Sequence, residues 1–291
     1  MTLQQRLAAA RDHLVAAGIT AADASIDVDL YARTILGWDR ARLIAAQRDA
    51  APETLEPRFS EWMTRRARHE PTAYIVGSRE FWGLDLLVTP AVLIPRPETE
   101  FIVEEALAIA RAGGLKASGE RPRALRLADV GTGSGCLAVA LTHELQDIRM
   151  VATDISGEAL AVARQNAERH SVADRIEFQC TSYLDGVDGP FDMIVSNPPY
   201  VRQGDKPALA RDVRHEPDVA LFGGGDGLAH LAGVLDAVIP RLSTGGWFLM
   251  EFGYGQEDDV RALVGSHREF RLERIRDDLQ GIARTAIMQR R

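Results

Sequence analysis

The stretch RLADVGTGSGCLAVAL, residues 126–141, decides the fold because it places three glycines between two apolar segments. RLADV is typical of a short buried strand, and the segment after the glycines is typical of a helix. Gly131, Gly133 and Gly135 let the chain turn sharply and let a ligand approach the backbone closely. The spacing is G-x-G-x-G and lacks the G-x-G-x-x-G of dinucleotide-binding proteins. By itself the loop is either a cofactor-binding turn or only a tight connection from strand to helix.

Strand-like and helix-like segments alternate on both sides of this loop. The predicted strands are residues 126–130, 149–153, 175–179, 191–196 and 246–252, and the predicted helices are residues 98–112, 134–145, 156–170, 227–242 and 256–266. Such alternation indicates an α/β fold with a mostly parallel sheet and helices on both faces. Residues 270–275 and 283–289 have no helix between them, so we expect them to pair antiparallel at one edge. The predicted sheet therefore has seven strands.

The N-terminal region is predicted to be helical. Apolar residues recur at helical spacing at Leu3, Leu7, Ala10 and Leu14 before Gly18, at Ile26, Leu30 and Leu36 before Gly37, and at Leu55, Phe59, Trp62 and Met63 before Pro71. Between residues 73 and 97, short apolar runs broken by glycines and prolines predict a β-hairpin. We therefore expect a helical domain at residues 1–72, a hairpin linker at residues 73–97 and an α/β domain at residues 98–291.

The charge balance argues against a nucleic-acid-binding protein. With 34 basic and 42 acidic residues among 291, the chain carries a net charge of −8. A nucleic-acid-binding domain normally presents a basic face, so we expect no direct binding to DNA. No apolar run approaches the roughly 18 residues that span a bilayer, and charged residues interrupt the N-terminal apolar spacing. We therefore expect a cytoplasmic protein without membrane contact, and we expect it to act as a monomer.

Cysteine and histidine usage gives no metal signature. The two cysteines, Cys136 and Cys180, do not form a C-x-x-C pair, and the seven histidines show no H-E-x-x-H spacing. We expect no metal, and we interpret both cysteines as buried free thiols.

The second predicted strand ends at Asp154, 23 residues after Gly131. A carboxylate at this place can accept both hydroxyls of a ribose. The alternative is that Asp154 caps the helix that begins near Ser156, but Ser156 can cap that helix itself. Together with the glycine loop, Asp154 predicts an adenosine-containing cofactor at the switch point of the sheet. NAD and S-adenosylmethionine both remain open at this point.

The fourth predicted strand, FDMIVS, runs directly into NPPY at residues 197–200. Two prolines in a row remove two backbone donors, so this stretch does not continue a sheet ladder. The Asn197 side-chain oxygen and the Pro198 carbonyl can both accept from one NH₂ group, and the Tyr200 ring can stack on a planar substrate. The alternative is a proline-rich turn in which Asn197 binds its own backbone.

Such a site suits an amino group on an sp² carbon, either adenine N6 or the amide of glutamine or asparagine. An amide nitrogen is a poor nucleophile because its lone pair is delocalised into the carbonyl. Two acceptors that hold its hydrogens can turn the nitrogen and favour positive charge on it during attack. A sulfonium methyl donor is already activated, so the protein has to contribute only alignment and electrostatics.

The NPPY stretch resembles the motif of amino-methyltransferases, and the resemblance extends along the chain. Segments at residues 70–100 (with IPRPETE at 94–100), 129–141, 191–201, 212–228 and 245–253 are similar to the peptide-chain release factor glutamine methyltransferases, the HemK/PrmC family. This resemblance implies a class I, Rossmann-like S-adenosylmethionine-dependent methyltransferase. It also implies transfer of a methyl group to the glutamine of the Gly-Gly-Gln motif of release factors.

The resemblance also assigns roles to residues of this chain. It implies that the cofactor is held by Gly131, Thr132, Gly133, Ser134, Gly135, Asp154, Tyr183 and Asn197, and that the glutamine amide is bound by Asn197, Pro198, Pro199 and Tyr200, of which Asn197, Pro198 and Tyr200 are catalytic. One position departs from the family pattern. Where many members carry Asp-Trp after the third strand, beside the adenine, this chain has Ser182 and Tyr183. Tyr183 can still stack on the adenine, but the acidic partner of the adenine amino group is missing or comes from elsewhere.

Two further clusters have competing interpretations. Arg96 and Glu98 lie in the segment expected to cover the cofactor, but Pro97 and Glu98 also suit the first turn of a helix. The basic residues Arg65, Arg66 and Arg68 suit either contact with the release factor or a solvated helix face.

Other functions use the same motif. Enzymes that methylate a glutamine of a ribosomal protein share NPPY, and DNA adenine methyltransferases use NPPY or a close relative. A DNA enzyme must extrude a base and hold the backbone, which calls for a basic groove and a recognition region. The acidic charge and the roughly 70 residues outside the catalytic part argue against DNA. A binding module without activity is disfavoured because the cofactor loop and the acceptor motif are both complete.

Overall fold

A computed structural model describes residues 1–114 and 124–291 of the chain. The chain divides into two compact units. The first comprises Met1–Ser78 together with Ala210–His215, and the second comprises Arg79–Leu209 together with Glu216–Arg291. The short segment Ala210–His215 follows the NPPY stretch in sequence and belongs to the first unit. Among the described residues, no helix has both the length and the apolar character needed to cross a membrane.

The first unit is helical, as the apolar spacing predicts. Its helices are α1 (Leu3–Ala16), α2 (Ala21–Leu36), α3 (Arg40–Ala45), α4 (Arg58–Ala67) and α5 (Thr72–Val76). Thr2 and Gln5 form a capping box at the start of α1, in which each side chain accepts from the other residue's backbone N–H. Helix α2 ends at Gly37, whose left-handed φ of 64° is accessible to glycine at little cost. The short helices α3 and α5 were not predicted.

The buried face of α2 differs from the prediction. Ile26, expected to face the core, is 65% exposed. The buried residues are Ala24, Asp27, Val28, Tyr31 and Ala32. Asp27 is buried because its carboxylate accepts from Arg66 Nε at 2.6 Å and from the Thr72 hydroxyl at 2.6 Å. A charged residue therefore takes an inward position, and this shifts the helix face away from the one that apolar residues alone indicate.

Arg66 joins α2 to the returning segment within the first unit. Its Nη1 donates to Asp212 at 2.9 Å while its Nε donates to Asp27. The guanidinium is almost fully buried, and its fork geometry suits two carboxylates at once. The sequence left open whether Arg65, Arg66 and Arg68 form a solvated helix face. Arg66 does not belong to such a face, because it forms ion pairs inside the first unit.

In residues 124–291, seven strands form one sheet, as predicted. They are β3 (Leu125–Val130), β4 (Ile148–Asp154), β5 (Ile176–Cys180), β6 (Phe191–Ser196), β7 (Leu242–Glu251), β8 (Phe270–Asp277) and β9 (Ala283–Arg290), in the order β5-β4-β3-β6-β7-β9-β8. Strands β3 to β7 pair in parallel, and β9 is antiparallel to both β7 and β8. The Rossmann-like, mostly parallel architecture with an antiparallel strand near one edge is confirmed.

Helices cover both faces of this sheet. They are α6 (Glu100–Arg111), α7 (Cys136–Glu144), α8 (Gly157–Arg169), α9 (Asp218–Leu221), α10 (Ala229–Val238) and α11 (Glu257–Ser266). Alternate strand residues enter different cores: Met193 and Val195 pack on one face, and Ile194 packs on the other. Because both faces are buried, the central strands read as continuous apolar runs.

A two-stranded sheet precedes the seven-stranded sheet, as the hairpin prediction requires. Strands β1 (Ser78–Phe81) and β2 (Leu84–Leu87) are joined by two residues, Trp82 and Gly83, both at positive φ. Two positive φ values match the twist of tight hairpins. Phe81 and Leu86 are buried in the core that also holds α6 and α7.

The strand order reverses beside β3, which pairs with β4 on one side and with β6 on the other. In open parallel sheets the crevice outside the carboxyl ends of such strands is where ligands bind. The glycine loop follows β3 and NPPY follows β6, so the topology brings the two predicted motifs to the same crevice.

Candidate active site

A cavity lies in the second unit at this switch point, and most of the predicted site residues line it. The predicted residues among them are Gly131, Thr132, Gly133, Ser134, Asp154, Tyr183, Asn197, Pro198 and Pro199. Gly135 and Tyr200 are not among the lining residues. The cavity walls also include Arg96, Thr99, Asp129 and His230, of which only Arg96 was considered from the sequence.

The glycine loop is held by backbone contacts to the next strand. The N–H groups of Gly131 and Thr132 both donate to the Thr153 carbonyl at 2.9 Å. Gly135 is in the left-handed region, and a Cβ there would lie 3.0 Å from the Ala163 Cβ of α8. The third glycine therefore permits close helix packing, which explains why it does not face the cavity.

Asn166 supports the loop from behind and was not singled out in the sequence. Its Nδ2 donates to the Ser134 carbonyl at 2.8 Å and to the Leu87 carbonyl at 2.9 Å, while its Oδ1 accepts from Leu87 N at 2.7 Å. The side chain is fully buried in α8. One amide thus ties the cofactor loop to the end of the hairpin. The available signal was a polar residue on the apolar side of a helix.

Asp129 leaves one acceptor free at the cavity wall. Its Oδ2 accepts from the Thr132 hydroxyl at 2.6 Å and from Ala138 N at 3.1 Å. Its Oδ1 is buried and has no hydrogen-bond partner among the described residues. Burial raises the pKa of Asp129 to about 7. A buried acceptor without a donor fits a ligand that brings an N–H group to this place.

Asp154 lies at the end of β4 and binds the loop as well as the cavity. Its Oδ2 accepts from Gly133 N at 2.9 Å, and its Oδ1 accepts from Ser156 N at 2.9 Å. The Ser156 hydroxyl accepts from Ala159 N, so Ser156 is the cap of α8, as predicted. Burial raises the pKa of the Asp154 carboxyl. Each carboxylate oxygen keeps further acceptor capacity for a ligand.

Asn197 is oriented by a chain of side chains. Its Nδ2 donates to the Thr99 hydroxyl at 3.0 Å, and that hydroxyl donates to Glu251 Oε2 at 2.7 Å. Within the described part of the chain, neither Asn197 Oδ1 nor the Pro198 carbonyl receives a hydrogen bond, although both residues line the cavity. The strand end therefore presents two acceptor oxygens that are not satisfied by their own chain.

Tyr200 is not among the residues that line the cavity. Its hydroxyl donates to Glu251 Oε1 at 3.0 Å, and burial raises the pKa of Tyr200. Its carbonyl accepts from Gln256 Nε2 at 3.1 Å, and a Cβ at Gly227 would lie only 2.4 Å from that carbonyl oxygen. Gly227 belongs to the GGGDG segment, whose lack of side chains permits this close approach. The stacking of the Tyr200 ring on a planar substrate stays a prediction.

Tyr183 and His230 form another wall of the cavity. The Tyr183 hydroxyl and His230 Nδ1 are 2.8 Å apart, and Tyr183 has a φ of 48°. A Cβ at Gly233 would lie 2.6 Å from the Tyr183 hydroxyl, so the phenol rests directly on α10. Ser182 lies beside it in the cavity wall. An aromatic side chain with a histidine as its neighbour therefore lies at the cavity wall, and its stacking on an adenine stays a prediction.

Glu216 anchors the segment that contains Arg96. Its Oε1 accepts from Arg96 Nη2 at 2.6 Å, and its Oε2 accepts from Ile94 N at 3.1 Å. Glu216 is only 4% exposed, so its carboxylate is shielded from water, whereas the Arg96 side chain stays 30% exposed. Glu216 belongs to the segment DVRHEPD, which carried the family resemblance without an assigned role. Glu98 does not line the cavity; it lies in a short 3₁₀ turn at Pro97–Thr99.

The interpretation of the two cysteines as buried thiols is only half correct. Cys136 is partly buried and lines the cavity. Cys180 is exposed, because it is the last residue of the edge strand β5.

Two family models match the chain, one in each of its principal regions. A model described as "PrmC N-terminal domain" matches residues 5–77, and a model described as "Methyltransferase small domain" matches residues 116–228. A solved structure titled as a methyltransferase from Pyrococcus furiosus is similar at a TM-score of 0.51, with 19% identity, over 79% of this chain and 98% of that one. This last likeness supports the fold alone.

Curated relatives extend the match along nearly the whole chain. A release factor glutamine methyltransferase of Koribacter versatilis is 38% identical over 99% of this chain and 98% of its own length. Another of the same name, from Bradyrhizobium diazoefficiens, is 40% identical over 83% of this chain and 80% of its own. The resemblance drawn from the motifs is confirmed. With such identity over both the helical and the α/β region, the chain belongs to the release factor glutamine methyltransferase family.

Proposed function

We propose that this chain transfers the methyl group of S-adenosylmethionine to the side-chain amide nitrogen of the glutamine in the Gly-Gly-Gln motif of peptide-chain release factors. Membership of the family supports the glutamine amide as acceptor and the release factor as substrate. The observation that carries the proposal for this chain is the pair of unsatisfied acceptor oxygens, Asn197 Oδ1 and the Pro198 carbonyl, at the cavity wall.

The cofactor site is proposed at the glycine loop. S-adenosylmethionine, when bound, supplies a methyl carbon that leaves a sulfonium sulfur as a bond to the acceptor nitrogen forms. The glycine loop would hold it with Gly131 and Gly133, which carry no side chain that shields the backbone, and Asp154 would accept from its ribose hydroxyls. The free Oδ1 of Asp129 suits an ammonium group, and Tyr183 provides a face for the adenine. These residues fit the group, because they combine acceptors, an accessible backbone and an aromatic surface around one cavity.

Asn197 and Pro198 would grip the substrate amide. In a planar amide the nitrogen lone pair is conjugated, and the nitrogen has little tendency to attack. An acceptor on each N–H draws the hydrogens away from the amide plane and stabilises the positive charge that grows on the nitrogen. Once methylated, the nitrogen carries a positive charge and two protons and is strongly acidic, so one of the two protons can leave to solvent without a dedicated carboxylate base and the other stays in the product.

Pro199 and Tyr200 would shape the rest of the substrate site. Pro199 lines the cavity, and its ring fixes the backbone φ next to the two acceptor oxygens. Tyr200 is held by Glu251 and Gln256, so it keeps the turn after Asn197 in one conformation. We assign the helical region at residues 1–72 to recognition of the release factor. We further propose a monomeric, cytoplasmic enzyme that needs no metal.

The test is a methyl-transfer assay with labelled S-adenosylmethionine and purified release factor. We expect label in the release factor and none in a release factor whose Gly-Gly-Gln glutamine is replaced by alanine. Ribosomal proteins and double-stranded DNA serve as competing acceptors in parallel reactions. Label in either of these, with none in the release factor, would reassign the acceptor.

A further inference from the structure

A polar connection runs through the apolar interior of the second unit, from the cavity to the sheet. Thr99 and Glu251 are each only 1% exposed, yet both carry hydrogen-bonding side chains. Glu251 is the last residue of β7, and Thr99 lies immediately before α6. Polar groups at such depth are costly unless each one is paired, so their arrangement should be strongly specified.

The direction of each hydrogen bond follows from the inventory of donors. An ionised carboxylate only accepts, so in the ionised state of Glu251 its Oε2 takes the single hydroxyl proton of Thr99. The Thr99 oxygen then has only acceptor capacity left. Asn197 can meet it only with Nδ2, which it does at 3.0 Å. The amide is therefore turned so that Oδ1 is the atom left for the cavity.

The opposite orientation of the Asn197 amide would defeat the site. An NH₂ group would then face the substrate amide, and two donors would meet without an acceptor between them. The atoms of the two orientations occupy nearly the same space, so packing alone does not select one. The Thr99 hydroxyl selects one orientation when its proton is donated to ionised Glu251, because its oxygen can then only accept from Asn197 Nδ2.

The same carboxylate also holds the other end of the motif. Glu251 Oε1 accepts from the Tyr200 hydroxyl at 3.0 Å, three residues beyond Asn197. One buried side chain is thus connected to the NPPY turn at both of its polar residues. Burial is the main cause that raises the pKa of Glu251 to about 7, against the hydrogen bonds from Thr99 and Tyr200 that lower it.

We infer that Thr99 and Glu251 are positioning residues, which set the polarity of Asn197 so that its oxygen faces the acceptor nitrogen. The inference rests on the proposed function for the identity of that nitrogen. It joins three segments of the family resemblance through one hydrogen-bond chain: IPRPETE supplies Thr99, NPPY supplies Asn197 and Tyr200, and GGWFLMEFG supplies Glu251.

The first experiment compares Thr99→Val, which keeps the shape and removes the hydroxyl, with Thr99→Ser, which keeps the hydroxyl. We expect Thr99→Val to lower kcat by about tenfold to a hundredfold, because the amide is no longer fixed in the productive geometry. The Kd for S-adenosylmethionine should stay within about twofold, and Thr99→Ser should recover most of kcat. Thr99→Ala provides the same comparison if valine is not accommodated. A kcat at the wild-type level in folded Thr99→Val would overturn the inference.

Thr142→Val is the matched control. Thr142 is fully buried in α7, and its hydroxyl has no hydrogen-bond partner among the described residues. The substitution makes the same chemical change in the same unit, outside the cavity lining. It should leave kcat unchanged, so a loss in both threonine variants would point to general damage and would count against a positioning role.

The second experiment asks whether Thr99 acts through Asn197. If it does, adding Thr99→Val to Asn197→Ala should cost no further activity, because the amide that Thr99 orients is already absent. Multiplication of the two single losses would overturn the inference.

A third readout does not depend on the reaction. In the wild type, one Asn197 Nδ2 proton is hydrogen-bonded and should exchange slowly by NMR, and Thr99→Val should accelerate that exchange while Thr99→Ser should not. Unchanged exchange in Thr99→Val would overturn the inference. Failure of the wild-type chain to methylate release factor, with the exchange behaviour as expected, would overturn the proposed function and leave the orientation of Asn197 supported.

Discussion

At the glycine end of the cavity, apart from the Asn166 amide, the contacts that hold the loop join residues close in sequence, whereas at the Asn197 end they join segments that are far apart. Thr132 bonds Asp129 three residues away, and Gly133 bonds Asp154 at a separation of 21 residues. By contrast, Asn197 and Thr99 are 98 residues apart, and Thr99 and Glu251 are 152 apart. The first end is a local motif, and the second exists only in the folded sheet.

The two ends also differ in what they offer a ligand. The glycine end combines accessible backbone with two carboxylates, which suits a cofactor that must be bound before any reaction. The Asn197 end offers two acceptor oxygens. Their proposed partners are the N–H groups of the substrate amide, which become most polar when positive charge grows on the nitrogen during the reaction. An interaction of that kind contributes to turnover more than to affinity. We therefore expect substitutions at the Asn197 end to lower mainly kcat, and substitutions at the glycine end to weaken mainly the binding of S-adenosylmethionine.

The largest difference between the effect on kcat and the effect on cofactor affinity is expected for Asn197→Ala. It removes one of the two acceptors that stabilise charge on the substrate nitrogen, so kcat should fall about a hundredfold to a thousandfold. The Kd for S-adenosylmethionine should stay within about threefold of the wild type. Steady-state kinetics on release factor and calorimetry with the cofactor measure the two quantities. Equal losses in turnover and in cofactor affinity would erase the distinction between the ends.

Asp154→Ala should show the reverse pattern with a smaller effect. The substitution removes a charged acceptor from the cofactor site, and we expect the Kd for S-adenosylmethionine to rise about tenfold to a hundredfold. At saturating cofactor, kcat should recover to within a few-fold of the wild type. The carboxylate also holds Gly133 N, so part of the loss reflects a loosened loop.

Asp174→Ala controls for loss of a carboxylate near the same edge of the sheet. Asp174 is exposed, precedes β5 and does not line the cavity. Its removal should leave both constants unchanged. A cofactor affinity in Asp154→Ala equal to that of Asp174→Ala would argue against the ribose contact.

The same difference between local and distant contacts explains what the sequence could predict. Alternating strands and helices, the glycine loop and the Ser156 cap are local patterns, and the structure contains each of them within a few residues of its predicted position. The long-range parts follow from topology alone: once β3 and β6 are neighbours, the glycine loop and NPPY must meet.

Residues that act across the fold were missed because their partners have no fixed spacing in sequence. Glu216 and Asn166 are examples, since each bonds a segment about 80 to 120 residues away. Glu251 left a readable signal, as a lone carboxylate in the apolar strand GWFLMEF. Thr99 left none. Asp27 shows the opposite failure, because a buried charge displaced the predicted helix face at Ile26.

One property makes the two ends alike: each holds a fully buried carboxyl group, Asp129 at the glycine end and Glu251 at the Asn197 end. Burial raises the pKa of Asp129 and of Glu251 to about 7 each, against ordinary values of 3.8 and 4.5. Asp129 is faced by Thr132, Ala138 N and the charge of Asp154. Glu251 is faced by Thr99, Tyr200 and the charges of Glu98 and Arg284, and both carboxyls act on the Cys136 thiol.

The last prediction concerns stability and tests this likeness. Between about pH 4.5 and 7 the folded protein binds more protons at these groups than the unfolded chain, so the free energy of unfolding contributed by them falls as pH rises. The slope is about 1.4 kcal/mol per pH unit for each group near the middle of that window. In urea titrations from pH 5 to 7, Asp129→Asn and Glu251→Gln should each lack their share of the slope. Thr142→Val changes no ionisable group, so its free energy of unfolding should depend on pH as that of the wild type does. If Asp129→Asn or Glu251→Gln also showed the wild-type dependence on pH, the replaced carboxyl group would not titrate in this window.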